Sequence, residues 1–314
     1  MTDIATPRTP MQRLGRLLLF AAFLVSALWL ASCSQRTCTW VRADYRVYVD
    51  AAHSLYEHGD PYLRNGGVFF EFHYRYPPLL ALLMPVLRWI WYPLLVAGIS
   101  IAIFLRYRAT GAPGLGLPTH LTALLVSNLF NGNAQAIVLG IGSLGPTGGP
   151  VVAVLFAFAA WVKLYPACVL VWWLGRRDWR SIRWFTVAFI ALGLVQLPWI
   201  GEFVRYSATQ TGLPVGLSLR GLGPLVWSAV IGLLAWGTYS QARNDRGWTY
   251  CVLLQLAVLP RILLFNLPLL LMAPHLLDRP YAPLVEGSRA PVALLGASAV
   301  IIAGATIFQL PRPF

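Results

Sequence analysis

The stretch WIWYPLLVAGISIAIFLRYR, residues 89–108, runs seventeen residues without a charge and then meets Arg106 and Arg108. An α-helix needs about 20 apolar residues to cross the hydrocarbon core, and basic residues at its end mark the cytoplasmic side. Comparable runs lie at 14–33, 183–199, 221–239 and 291–310. The whole composition follows the same pattern. Apolar residues make up 58% of the 314-residue chain and charged residues 11%, with a mean hydropathy of +0.64. Soluble domains carry roughly 25% charged residues. The period-2 alternation of a lipid-facing barrel is absent, so helices are the way to satisfy the backbone in lipid. The expectation is an all-α polytopic membrane protein, one integral domain over 1–314.

The net charge of +13 raises nucleic acid as a partner. No basic block interleaved with aromatics on a polar background supports it. The arginines stand mostly at the ends of apolar runs, where they fix orientation. Applied along the chain, they place the N-terminus in the cytoplasm, a first span at 14–33 and an external loop at 34–76. A short piece, YPPLLALLMPVL, opens the remaining bundle at 77–314 and reads as re-entrant or tilted. Short runs at 118–131 and 133–145 are broken by NGNAQ on the external side. The runs 149–165 and 166–174 hinge at Pro166 and return to a cytoplasmic GRRDWRSIR. The run 183–199 leads to an external loop at 200–220, and 221–239 returns to QARNDRG. The runs 248–259 and 262–276 turn at Pro260-Arg261. With 291–310, ten to eleven segments result. No carboxylate falls mid-membrane, which disfavours a proton-coupled transporter.

The first external loop is exceptional. Residues 42–62, RADYRVYVDAAHSLYEHGDPY, hold four of the chain's eleven acids. Wound as a helix over 41–58, the stretch puts Tyr45, Tyr48, Val49, Ala52, Leu55 and Tyr56 on one apolar side. Arg42, Arg46, Asp50, His53 and Glu57 form the opposite face, with Arg46–Asp50 and His53–Glu57 spaced for i,i+4 pairing. Gly59 and Asp60-Pro61 stop the helix. Asp44 sits at the edge of the apolar side with no base four residues on. Two readings stay open for it: an N-cap, a position that favours Asp, or a partly desolvated general base.

The order of these motifs resembles that of the family-87 glycosyltransferases, integral membrane enzymes of the GT-C class that use polyprenyl-phosphate sugars, typically mannose. The residues that carry it are Asp44 after span one, GDPY at 59–62 and YRYPPLLALL at 74–83. NGNAQAIVLG at 131–140, WVKLYPA at 161–167 and LPRILLFNLPLLL at 259–271 follow. It covers about residues 40–275. The resemblance implies a GT-C-like bundle with its site facing the exterior of the cytoplasmic membrane. It implies Asp44 as the catalytic base that takes the acceptor proton, with inversion at the sugar carbon. The acceptor would be a lipid, glycan or protein hydroxyl.

Lys163, the chain's single lysine, and Arg261 each stand beside a proline-interrupted apolar stretch on the external side. They are the candidate ligands for the donor phosphate; for Lys163, snorkelling to headgroups is the alternative. Tyr45, Tyr48, Tyr62, Tyr74 and Tyr76 are candidates for the sugar or acceptor pocket, and Asn131 and Gln135 for hydrogen bonds to sugar hydroxyls. The family pattern reads Gly-Gln-x-Asn where this chain has Gly132-Asn133-Ala134-Gln135, an exchange of the amides. His53, His58 and His73 share the loop without metal-ligand spacing, no metal site is expected, and dependence on a divalent metal stays open. Cys33 follows LAS in a lipoprotein-like pattern, against which an uncleaved first span is weighed; a Cys33–Cys38 disulfide fits an oxidising compartment. Two other classes compete: a transporter or flippase of a lipid-linked sugar, and a non-catalytic scaffold of the cell envelope.

Overall fold

The computed structural model describes residues 43–63, 74–110, 119–209, 223–259 and 264–273. The expected spans at 14–33 and 291–310, and Arg261, His73, Cys33 and Cys38, lie outside them. Among the described residues the chain is entirely helical. Its helices are α1 (Ala43–His58), α2 (Leu79–Leu87), α3 (Trp91–Thr110), α4 (Thr119–Asn131), α5 (Gln135–Ser143), α6 (Pro150–Val162), α7 (Val169–Arg176), α8 (Trp179–Thr209), α9 (Pro224–Ser240) and α10 (Asp245–Ala257). Short 3-10 pieces cover Tyr165–Cys168 and Leu264–Met272.

α1 forms where the periodicity predicts it, but it is rolled. Val47, Tyr48, Ala51, Ala52, Ser54 and Leu55 are its buried residues, while Tyr56 is 62% exposed. At about 100° per residue that buried arc is centred on the direction of Asp44, not on Tyr45. Asp44 therefore points with the buried face instead of standing at its edge. The helix stops at Gly59, whose φ of 76° lies in the left-handed region and whose amide donates back to Leu55 O at 2.9 Å. Asp60 then accepts the Tyr62 amide at 2.8 Å and turns the chain.

α2 and α3 meet at a bend of 108°, so the short YPPLLALLMPVL run, read as re-entrant or tilted, is a separate helix set sharply against the next. The Leu79 amide at the start of α2 is satisfied by the fully buried Gln196 Oε1 at 2.7 Å, since helix amides in an apolar setting need a partner. α3 crosses α5 with almost no side chain between them. A Cβ on Gly98 would lie 2.2 Å from Ala136 O, and one on Gly140 would lie 2.5 Å from Gly98 Cα. Small residues at such crossings let helices touch through backbone.

α8 differs from the expected run and loop. It continues without a break from Trp179 to Thr209 through Pro198. Phe203 and Tyr206 pack on Tyr62, and Glu202 pairs with Arg205 one turn on, so the segment past residue 200 is held as helix. The 262–276 run also differs: Leu264–Met272 is 3-10 around Pro268. At about 2.0 Å per residue it is too short to span. Leu269, Leu271 and Met272 are buried, and the Trp248 indole donates to Met272 O at 2.7 Å. Among the described residues, Trp179–Ser207 of α8 is the one helix long and apolar enough to cross a bilayer, with the bent α2–α3 pair as a second if it counts as one span. Large apolar side chains on α8 and α9 face outward, Leu225 at 85% and Leu233 at 71% exposure. Such outward apolar surface suits contact with lipid.

The helices have two distinct ends. At one, the α7–α8 and α9–α10 turns meet: a Cβ on Gly175 would lie 2.3 Å from Tyr239 O, and Gly149 N donates to Ser181 Oγ at 3.1 Å. At the other lie α1, the Gly132 turn, the end of α6 and the middle of α8. There the Trp199 indole donates to Gly59 O at 2.7 Å. α6 joins the two ends, about 20 Å at 1.5 Å per residue.

Candidate functional site

The site is built around the NGNAQ break. Gly132 holds φ at 68°, a conformation open to glycine at little cost, and its C=O accepts the Trp91 indole at 2.9 Å. A Cβ here would meet Tyr45 Cβ at 2.6 Å, so α1 lies directly on the turn. The chain reverses in one step and presents Asn133 toward the head of α1.

Asn133 is fully buried and bonded on both sides of its amide. Its Nδ2 donates to Asp44 Oδ2 at 2.8 Å. Its Oδ1 accepts from Lys163 Nζ at 3.0 Å and from the Gln135 backbone N–H at 2.8 Å. Lys163 reaches it because α6 ends at Val162 and Lys163 itself is extended, φ −150° and ψ 112°, before the Pro166 piece. The ammonium also stands 5.2 Å from the Tyr76 ring centroid, a cation–π distance. A half-buried carboxylate, a buried amide and a buried ammonium thus form one row. Each member is oriented by the next.

Asp44 lies in the first turn of α1, where the helix dipole favours a negative charge. Its carboxylate spends Oδ2 on Asn133 rather than on the amides of its own helix. The N-cap reading gives way to a side chain aimed across to α5. Burial pushes its carboxyl above the usual carboxylate range, while Lys163 and the Asn133 bond pull it part of the way back. A raised pKa brings a carboxylate nearer the range useful to a general base.

The aromatic wall around this row comes from the tyrosines singled out in the sequence. Tyr48 is buried among Tyr76 and Trp91, with centroids 5.1 and 5.3 Å away, and its hydroxyl accepts Ala134 N–H at 3.3 Å. Tyr45 packs on Tyr92. Tyr74 donates to Pro77 O at 2.5 Å and accepts from the Ala81 amide. Tyr62 donates to Tyr76 O at 2.8 Å. Tyr62 and Tyr74 thus commit their hydroxyls to backbone and act as wall.

Behind Asn133, the fully buried Gln135 accepts from Tyr165 Oη at 2.7 Å and from Asn266 Nδ2 at 3.5 Å through Oε1. Among the described residues its buried Nε2 has no hydrogen-bond partner, the exception in a group that otherwise pairs its polar atoms. Asn131 ends α4 half-buried and lies outside the hydrogen-bonded row. Sequence reasoning did not single out Asn133, Tyr165 or Asn266. The signals for the first two were local: Asn133 sits at the helix break itself, and Tyr165 stands two residues after the one lysine. Asn266 gives no such signal, because its 3-10 segment reads as an apolar span. His53 and His58 flank Glu57 on the outer face of α1, at 3.8 and 3.9 Å. Among the described residues no group of three or more His, Cys, Asp or Glu is placed to hold a metal.

Compared with protein-family models, curated proteins and solved structures, the chain matches none.

Proposed function

We propose that the protein is a membrane glycosyltransferase that moves a hexose, most simply mannose, from a polyprenyl-phosphate donor to a hydroxyl of a lipid, glycan or protein. The carrying observation is the Asp44–Asn133–Lys163 row, which supplies a half-buried carboxylate linked through one amide to a buried cation at one end of the helical body. In the reaction, the acceptor oxygen bonds to the anomeric carbon from the face opposite the phosphate. The C–O bond to phosphate breaks, and the lipid phosphate leaves with the electron pair. The acceptor proton passes to Asp44, whose Oδ1 is not used in the Asn133 bond. Lys163, with Arg261 as its sequence-based partner, offsets charge on the departing phosphate. The step needs no covalent intermediate on the protein.

Sidedness supports the same reading. The arginine-rich turns lie at the end of the bundle away from Asp44, so the positive-inside rule turns the Asp44 end toward the exterior of a cytoplasmic membrane, where a lipid-linked sugar would be presented.

Membranes containing the full chain, given polyprenyl-phosphate mannose labelled in the sugar, test this. The reading expects label in a new glycoside with inverted anomeric configuration. Label that crosses sealed vesicles still attached to its polyprenyl phosphate would instead assign the chain to flipping a lipid-linked sugar. No change in the labelled lipid, with this or other hexoses, would overturn the enzyme reading.

A further inference from the structure

The end of the bundle opposite Asp44 carries an unusual surface of its own. α7 ends at Arg176, and Arg177 takes a left-handed conformation, φ 58°, so that the chain reverses into α8 within two residues. Asp178 caps the new helix: Oδ1 accepts the Ser181 amide at 3.1 Å and Oδ2 the Ser181 hydroxyl at 2.6 Å. Its charge is thereby spent on a helix N-terminus. Gly175 brings the α9–α10 turn alongside, its missing Cβ leaving room for Tyr239 O and Ala242. The two turns together expose Arg176, Arg177, Arg180, Arg183, Arg243 and Arg246. Besides Asp178, the acid these turns contain is Asp245, the first residue of α10.

Aromatic side chains surround the same end. Trp179 is 61% and Trp236 68% exposed, with Trp184 and Tyr239 also outward. Exposed indoles at the boundary between an arginine cluster and an apolar helix surface are placed as headgroup-level anchors are. Guanidinium groups bind phosphate oxygens in a fork, and basic residues near an anionic leaflet are attracted to it within about a Debye length.

We infer that this arginine–tryptophan end is a docking surface for the headgroups of anionic phospholipids, which seat the bundle in its leaflet. The surface is separate from the Asp44 row and does not depend on the glycosyltransferase reading.

The test is lipid selectivity at the protein boundary, measured with spin-labelled phosphatidylglycerol and phosphatidylcholine on the full chain reconstituted in mixed vesicles. The expected result is an anionic preference of about twofold or more at low salt. It should fall to near unity in a variant carrying R176Q, R177Q, R180Q, R243Q and R246Q, and be retained when the same positions are lysine. Wild type without a preference, or the glutamine variant with an undiminished one, overturns the inference. So does a preference abolished by inorganic phosphate but not by chloride at equal ionic strength, which would make the cluster a site for a free oxyanion. If the glutamine variant does not fold, the chloride dependence of the wild-type preference decides: a preference unmoved by salt contradicts the proposal.

Discussion

Lys163 reaches the Asp44 carboxylate through a single side chain. The Asn133 amide accepts from the ammonium at 3.0 Å and donates to the carboxylate at 2.8 Å. α1, the α4–α5 break and the end of α6 are thereby tied at one point. A charge pair bridged by an amide keeps its members apart while fixing both orientations, which suits groups that must each meet a different part of a substrate.

Asn133→Ala removes these two bonds together with the one from the Gln135 amide and leaves the carboxylate and ammonium without their shared partner. The expected cost is about 1–3 kcal/mol, read as a lower unfolding temperature in detergent. Transfer should fall at least tenfold. Asn133→Asp should be worse for the base at neutral pH, because a second carboxylate raises the pKa of Asp44 further and moves the rising limb of the pH–rate profile upward. An unchanged profile in Asn133→Asp would contradict the coupling.

Asp44 also links pH to stability. Its carboxyl is raised in the folded state by burial, so the folded form binds the proton more tightly than the unfolded chain does. Its favourable contribution is full below the ordinary aspartate pKa and is lost as pH rises through the raised value. Asp44→Asn keeps an oxygen that can accept from Asn133 and removes the buried charge. That variant should unfold at an equal or higher temperature than wild type at neutral pH, with the gap closing on acidification. Thermal unfolding across pH in one detergent checks the sign, and a neutral-pH destabilisation that persists in acid would oppose it.

Two glycines separate turn strain from close approach. Gly59 and Gly132 both hold positive φ, but a Cβ at Gly59 meets nothing within 4 Å while one at Gly132 meets Tyr45 Cβ at 2.6 Å. Gly59→Ala should cost roughly 1 kcal/mol. Gly132→Ala adds displacement of α1 to that strain and should abolish transfer along with lowering stability. Equal effects would mean that α1 does not depend on the turn.

The α3–α5 crossing supports the site from below. Gly98→Ala or Gly140→Ala places a methyl in backbone and should lower the yield of folded protein, with a cost of about 1–3 kcal/mol from forced displacement. Yield and unfolding temperature equal to wild type in both variants would show that the two helices are free to move apart.

Much of this was legible in the chain. The all-helical class, the break at NGNAQ, the interruption at Pro166 and the stop at Gly59 follow from local chemistry and appear where that chemistry puts them, whereas of the apolar runs Trp179–Ser207 alone is a helix long enough to span among the described residues. Asp44, Lys163 and Gln135 stood out because polar groups in oily surroundings are few. The roll of α1 was not legible, since tyrosines gave the helix apolar character on more than one side and only tertiary contact chose between them. The continuity of α8 through Pro198 was hidden by the charges after residue 200. They read as a loop until Tyr62 supplied a partner for Phe203 and Tyr206. Asn133 was passed over because a local pattern cannot show that one amide would face a carboxylate 89 positions away.

The most direct measurement compares wild type with Asp44→Asn in sugar transfer from polyprenyl-phosphate mannose, at saturating donor and matched amounts of folded protein. Wild type is expected to transfer the sugar and the variant to lose about 10²–10⁴-fold, with an unfolding temperature equal to or above that of wild type. Transfer by Asp44→Asn at the wild-type rate would contradict the base role of Asp44.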